Sequence, residues 1–123
     1  METMHRELFS TLEELSLATD AEFGRGYSEL VRKVERVFQR EEQWMEDCNY
    51  AGLATHREQH ARVLGGLHHV HGMVMHGDLA TGRRVVDELL PQWLAFHTST
   101  MDASLAAAMQ MMRGTTAPTS TLS

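Results

Sequence analysis

Six side chains that can bind metal ions recur at helical spacing among the apolar residues of this sequence. They are His5, Glu41, His56, His60, His97 and Asp102. This spacing predicts that all six face the interior of a helical protein. Because a buried carboxylate or imidazole without a partner is energetically costly, we expect a bound metal ion to hold them there.

His56 and His60 form a His-x-x-x-His pair. Four residues make about one turn of an α-helix, so the two imidazoles lie on one face and can bind one ion together. A carboxylate such as Glu41 can bridge two ions with its two oxygens. Mixed imidazole and carboxylate ligation suits iron, and the set exceeds the roughly four ligands that one zinc ion uses.

The same segment excludes the zinc-protease motif H-E-x-x-H. The residue after His56 is Arg57, and the nearest acid, Glu58, lies two residues past the histidine. Glu58 therefore points to another face of the helix and cannot serve as the general base of that motif.

Four helices are predicted to position the candidate ligands. Their expected bounds are Glu2 to Ala18, Asp20 to about Cys48, Leu53 to His76, and a fourth helix that follows a break from His76 to Gly82 and ends near residue 112. Asp20 is expected to cap the second helix, and Pro91 to kink the fourth or delay its start. Since short connections make successive helices antiparallel, the predicted fold class is all-α, an up-down-up-down four-helix bundle.

A helical rise of about 1.5 Å per residue places most candidate ligands at one end of such a bundle. His5 lies near the start of the first helix, and Glu41 lies about two turns before the end of the second. His56 and His60 lie in the first two turns of the third helix, at the same end. The two candidates on the fourth helix, His97 and Asp102, come out somewhat higher, unless this helix overhangs the bundle.

Length and composition indicate one small globular domain. The chain has 123 residues, 42% hydrophobic and 23% charged, with a net charge of −6 when histidine is neutral. An acidic chain without a basic cluster is a poor candidate for nucleic-acid binding, and no apolar run approaches the ~20 residues of a membrane span. We expect a four-helix domain over residues 1–112 and a disordered tail over 113–123, which has no apolar face.

Two further features indicate a cytoplasmic protein. The single cysteine, Cys48, cannot form an internal disulfide, so nothing requires an oxidising compartment. The first residues, METMHREL, contain charges at once and no signal-peptide core.

Taken together, the candidate ligands resemble those of the hemerythrin family, and specifically of its bacterial members. The family pattern combines a His on the first helix, H-F-x-x-E-E-x-x-M on the second, H-x-x-x-H on the third and W-L-x-x-H-I-x-x-x-D on the fourth. The corresponding segments here are MHRELF at 4–9, VFQREEQWM at 37–45, HREQH at 56–60 and WLAFHTSTMD at 93–102. The match spans residues 4 to about 105.

The resemblance implies a hemerythrin-like bundle that holds two non-haem irons, joined by an oxo or hydroxo bridge, and binds O2 at one of them. Carried over by position, His56, His60 and His97 hold the first iron. Glu41 and Asp102 bridge the two irons, and His5 holds the second.

The sequence departs from the family pattern at two positions near this site. Val37 stands where the family has the histidine of the second helix, so six of the usual seven ligands remain and the second iron has one imidazole instead of two. This metal is then expected to bind more weakly. Thr98 replaces the apolar residue after the fourth-helix histidine and is expected to bring a hydroxyl near the pocket.

Three functions stay open on these residues. The first, which the family favours, is O2 binding for storage, delivery or sensing. The second is a di-iron redox enzyme, an oxidase or peroxidase acting with O2 or hydrogen peroxide, because the position left open by Val37 admits a second small ligand. The third is a metal-poor bundle that acts as an interaction module. The oligomeric state is not indicated.

The other polar candidates are interpreted as structural. Glu42 is expected to be an ordinary surface charge, and Trp93 to be a packing residue. The remaining histidines of the third helix are expected on its solvated surface; they are His68, His69, His71 and His76.

Overall fold

The computed structural model describes residues 2–116, with the side chains of residues 3–100 and of 103, 104, 107, 110 and 111. Its elements are α1 (Glu2–Ser16), α2 (Asp20–Asp47), α3 (Leu53–Met75), α4 (Leu79–Arg84), a π-helical turn (Val85–Leu89) and α5 (Leu90–Thr116). The last three follow one another without a break and make the fourth helix of a bundle. The described residues contain no strand, so the predicted all-α fold is confirmed.

The start of α2 differs from the prediction in its capping residue. Thr19, and not Asp20, is the N-cap: its hydroxyl accepts from the Glu22 backbone N–H at 3.3 Å, and the Glu22 carboxylate accepts from the Thr19 N–H at 3.4 Å. This reciprocal pair is the capping box that the spacing Thr-x-x-Glu allows. Asp20 is the first helical residue, and its carboxylate accepts from Arg83 at 2.8 Å, which ties α2 to α4.

The break before the fourth helix is shorter than the predicted span from His76 to Gly82. Gly77 has a φ of +100°, a conformation that favours glycine, and Asp78 then caps α4 by accepting from the Thr81 N–H at 3.1 Å. Gly82 lies inside the helix, where it permits close packing. A Cβ at this position would lie 2.5 Å from Val74 Cγ2 and 2.9 Å from Phe23 Cε2.

Pro91 does not delay the fourth helix, which begins well before it. Instead, a π-helical turn precedes the proline, and the Leu90 N–H donates to the Val85 carbonyl five residues back. Proline has no N–H to donate and crowds the carbonyl four residues before it. The wider turn is the local solution that keeps the helix continuous.

The predicted apolar faces form the core. Leu8, Phe23, Tyr27, Leu30 and Val34 have no exposed surface. The metal-ligand candidates His5, Glu41, His60 and His97 are also buried, with 5%, 1%, 1% and 3% of their surface exposed. Within the described residues no helix is long and apolar enough to cross a membrane. α5 runs to Thr116, and residues 117–123 of the predicted tail lie outside the described residues.

Gly82→Ala should destabilise the protein by about 1–3 kcal/mol, because the new methyl group overlaps two buried side chains. Gly65→Ala is the matched control within α3, since no atom of another helix lies within 4 Å of the added Cβ. That change should stabilise by up to about 1 kcal/mol through helix propensity. Urea unfolding of both variants checks the prediction, and equal effects of the same sign would contradict it.

Candidate metal centre

Three imidazoles from two helices converge at one end of the bundle. His56 and His60 lie one turn apart on α3, and His97 reaches them from α5; one nitrogen of each lies within 4.8 Å of the others. The Nε2 atoms of His60 and His97 are 3.2 Å apart. His97 therefore lies level with the α3 pair, whereas the regular helical rise had placed it higher. The fourth helix overhangs the bundle at this end, because α5 continues to Thr116, well past the level at which α3 begins at Leu53.

Glu41 on α2 stands between this cluster and His5 on α1. Its Oε2 atom lies 2.5 Å from His5 Nε2, while its Oε1 atom lies 3.1 Å from His60 Nε2 and 3.4 Å from His97 Nε2. The two carboxylate oxygens thus face two separate groups of imidazoles. This is the arrangement that a bridging carboxylate requires.

The charge of Glu41 is stabilised although the side chain is buried. Burial raises the pKa of the carboxyl group, but the hydrogen bonds with His5, His60 and His97 and the electrostatic interaction with His97 outweigh it, so the pKa lies well below its ordinary value. The pKa of His56 is lowered, first by burial and then by the neighbouring imidazoles of His97 and His60. The site therefore combines an ionised carboxylate with an imidazole that favours the neutral, metal-binding form.

Glu42 belongs to the site, contrary to its interpretation as surface charge. Its Oε2 atom accepts from His60 Nδ1 at 2.8 Å, and its Oε1 atom accepts from Arg57 Nε at 3.4 Å. Arg57 also donates to Glu46. Because a carboxylate only accepts, His60 donates to it from Nδ1, and the Nε2 atom of the same ring faces His97 and Glu41. The adjacent pair Glu41-Glu42 was the available signal, since it matches the second E of the family pattern.

An aromatic shell fixes the rings of the cluster. Phe38 stacks on His60 with centroids 3.9 Å apart and an interplanar angle of 10°, and Trp93 stacks on His97 at 4.5 Å and 13°. Tyr50 lies against His56 at 5.6 Å. Packing therefore restricts the orientation of each imidazole before any ion binds.

The donor set fits a bound cation. His60 Nε2 lies close to a carboxylate oxygen of Glu41 and to His97 Nε2, and such close contacts require a proton or a cation between the atoms. Among the described residues, His56 Nδ1 is buried and has no hydrogen-bond partner. Buried polar atoms are rarely left in this state without a reason. A metal ion would satisfy several of these acceptors at once.

Comparison with known proteins decides the family. The chain matches the "Hemerythrin HHE cation binding domain" over residues 1–109. A bacteriohemerythrin of Ralstonia nicotianae is 34% identical over 98 residues, which cover 80% of this chain and 71% of that protein. The chain belongs to the hemerythrin family. The comparison with solved structures gave no match.

Membership of the hemerythrin family confirms the resemblance found from the sequence. Of the six predicted ligands, the structure brings five together, namely His5, Glu41, His56, His60 and His97. The sixth, Asp102, lies on α5, and its side chain is outside the described residues.

The two positions that were interpreted as departures from the family pattern differ in their placement. Val37 is 5% exposed and lies one turn before Glu41 on the same face of α2, so it presents an apolar side chain toward the ligand layer. The Thr98 hydroxyl donates to the Ala95 carbonyl at 3.3 Å, within its own helix. Thr98 therefore uses its hydroxyl locally, as threonines on helices often do.

One histidine outside the site is not the solvated surface residue that was predicted. His71 is half-buried, its Nε2 lies 2.6 Å from Ser28 Oγ, and its ring stacks on Tyr27 at 5.8 Å. His68 is exposed, as predicted, and its Nε2 lies 3.3 Å from Glu35. Neither joins the cluster at the ligand end.

Glu42→Gln should weaken metal binding by about tenfold to a hundredfold, the usual effect of changing a partner of a ligating histidine. The neutral amide accepts the hydrogen bond from His60 Nδ1 more weakly than a carboxylate does. His60 Nε2 would therefore bind a metal ion less strongly. Glu46→Gln is the matched control, since Glu46 shares Arg57 but contacts no ligand candidate through any described hydrogen bond. Competition against a chelator measures both affinities, and equal losses would contradict a specific role for Glu42.

Proposed function

We propose that this hemerythrin-family protein is a non-haem di-iron protein that binds O2 at the bundle-core site. His56, His60 and His97 would hold one iron, His5 the other, and Glu41 and Asp102 would bridge the pair. The observation that carries the proposal is the division of the Glu41 oxygens, one facing His5 and the other facing the three-histidine cluster. The cytoplasmic location expected from the sequence is part of the same proposal.

The side chains around the site have distinct tasks in this function. Glu42 accepts a hydrogen bond from His60 Nδ1 and so keeps the Nε2 lone pair available for a metal ion. Phe38 and Trp93 fix the planes of two imidazoles by stacking. Glu41 supplies a negative charge that offsets part of the charge of two cations. The surrounding histidines already stabilise this carboxylate in its ionised form.

Two apolar clusters border the ligand layer along the axis of the bundle. Toward the centre of the bundle it borders the main core, which includes Val34, Val37 and Phe38. At the turn between α2 and α3 it borders a small apolar cluster of Met45 with Cys48, Tyr50 and Leu53. Bound iron supplies the reversible electron transfer to O2 that amino-acid side chains cannot provide. The packing keeps bulk water, a competing ligand, from reaching it through the core or past the turn between α2 and α3.

The decisive measurement is the iron content per chain together with absorption spectra recorded aerobically and anaerobically. We expect up to two irons per chain and a visible absorption band that appears with O2 and disappears when O2 is removed. A protein that folds normally but contains no iron and takes none up would refute the proposal. The same result would favour the interaction module.

Val37→His should tighten the second iron and lengthen the lifetime of the oxygenated form, because it restores an imidazole one turn before Glu41. Val37→Leu is the matched control, since it changes the shape of the same apolar position without adding a nitrogen. Iron content and the decay of the O2-dependent band check the outcome. If both variants keep the iron content and spectrum of the parent, Val37 does not face the metal site.

A second candidate function is a di-iron oxidase or peroxidase. Val37 favours it, because the apolar side chain leaves a coordination position that a family histidine would occupy. The two candidates differ in what happens to the oxidant. An O2-binding protein releases O2 intact, whereas an enzyme consumes O2 or hydrogen peroxide in the presence of a reductant. An oxygen electrode and a peroxide assay on the iron-loaded protein separate them.

A further inference from the structure

A pocket of about 380 Å³ opens between α3 and α5 beside the histidine cluster. Two of the cluster's imidazoles, His56 and His97, form part of its lining. Its volume falls in the range of small-molecule sites, roughly 300–1,000 Å³. O2 binding does not need a pocket of this size, so the question is which larger molecule it suits.

The apolar part of the lining is aromatic. Trp93 is half-buried, with its ring stacked on His97, and Phe96 leaves 72% of its surface exposed at the side of the pocket. Val63 faces them from α3. A flat apolar group such as a benzene ring is the natural partner of such a wall, because aromatic rings pack well against one another.

The polar part of the lining carries one permanent charge among the described residues, the guanidinium of Arg62. This group pairs with Glu58 at 3.1 Å, but the two side chains are 78% and 70% exposed, and exposed ion pairs are weak. Arg62 is therefore available to a second carboxylate, which a guanidinium can bind through two parallel hydrogen bonds. Gln59 and Thr100 add further polar groups to the lining.

We infer that this pocket binds a small aromatic carboxylate, with its ring against Trp93 and Phe96 and its carboxylate on Arg62. The inference goes beyond O2 binding, since it assigns an organic ligand to the flank of the metal centre. The binding itself depends on residues of α3 and α5 and not on iron. A ligand held there lies beside two residues of the proposed iron site.

The first experiment follows the fluorescence of Trp93 with benzoate as the probe. The chain has two tryptophans, and Trp44→Phe leaves Trp93 as the single reporter. Benzoate should change this emission saturably. Benzamide, the neutral molecule of the same shape, should bind about tenfold more weakly, the value of one lost hydrogen bond to a charged group.

Two charge variants on α3 should act in opposite directions in the Trp44→Phe background. Arg62→Gln should weaken benzoate binding by about tenfold, because it removes the charged donor. Glu58→Gln should strengthen binding, because it releases Arg62 from its ion pair. Arg36→Gln, at an exposed position on α2, changes the net charge by the same amount as Arg62→Gln and should leave the affinity unchanged.

Three results would overturn the inference: no saturable response to benzoate, equal affinities for benzoate and benzamide, or equal affinities for the parent and Arg62→Gln. The titration is made with both iron-free and iron-loaded protein. Iron-loaded protein that ignores benzoate would refute the pocket and leave the proposed function standing. Protein that cannot bind iron but binds benzoate would refute the proposed function and leave the pocket standing.

Discussion

The structure depends on a carboxylate that is buried and yet ionised. Glu41 has 1% of its surface exposed, and its charge is stable there because imidazoles from three other helices surround it. An isolated buried carboxylate would cost several kcal/mol and would take up a proton instead. Each helix of the bundle is therefore linked to the others through one side chain of α2. The same charge that requires imidazoles in the folded protein also attracts cations to the site.

Much of the site was predictable because periodicity determines which side of a helix is buried. The spacing that placed Leu8, Val34 and Leu67 in the core also placed His5, Glu41 and His60 there, and all six are buried in the structure. Polar residues on an apolar face are rare enough to indicate a function. The family pattern then related these residues to a hemerythrin, and the comparisons confirm that family.

What escaped prediction depends on contacts between helices or on local turn geometry. Glu42 lies outside the apolar stripe of α2, and only the packing of α2 against α3 brings its carboxylate to His60 Nδ1. A glycine is needed at position 82 inside the helix because a Cβ there would lie too close to Val74 and Phe23. The local sequence does not show these neighbours. The level of His97 was misjudged because the estimate assumed that the fourth helix ends level with the others, whereas α5 continues to Thr116.

Close packing and a buried hydrogen bond hold the helices together at the end of the bundle away from the ligands. At the end away from the ligands, Gly82 permits close packing against Phe23 and Val74, and the Tyr27 hydroxyl donates to the Leu67 carbonyl at 3.0 Å. Burial raises the pKa of Tyr27 to about 12, so this hydrogen bond keeps its donor throughout the physiological range.

At the ligand end, α3 and α5 leave a pocket between them, and His56 and His97 form part of its lining. Other side chains hold the two imidazoles from beside the pocket, because the His97 ring stacks on Trp93 and the His56 ring lies against Tyr50. The proposed metal centre can therefore combine fixed ligands with a flank that is accessible to a molecule larger than O2.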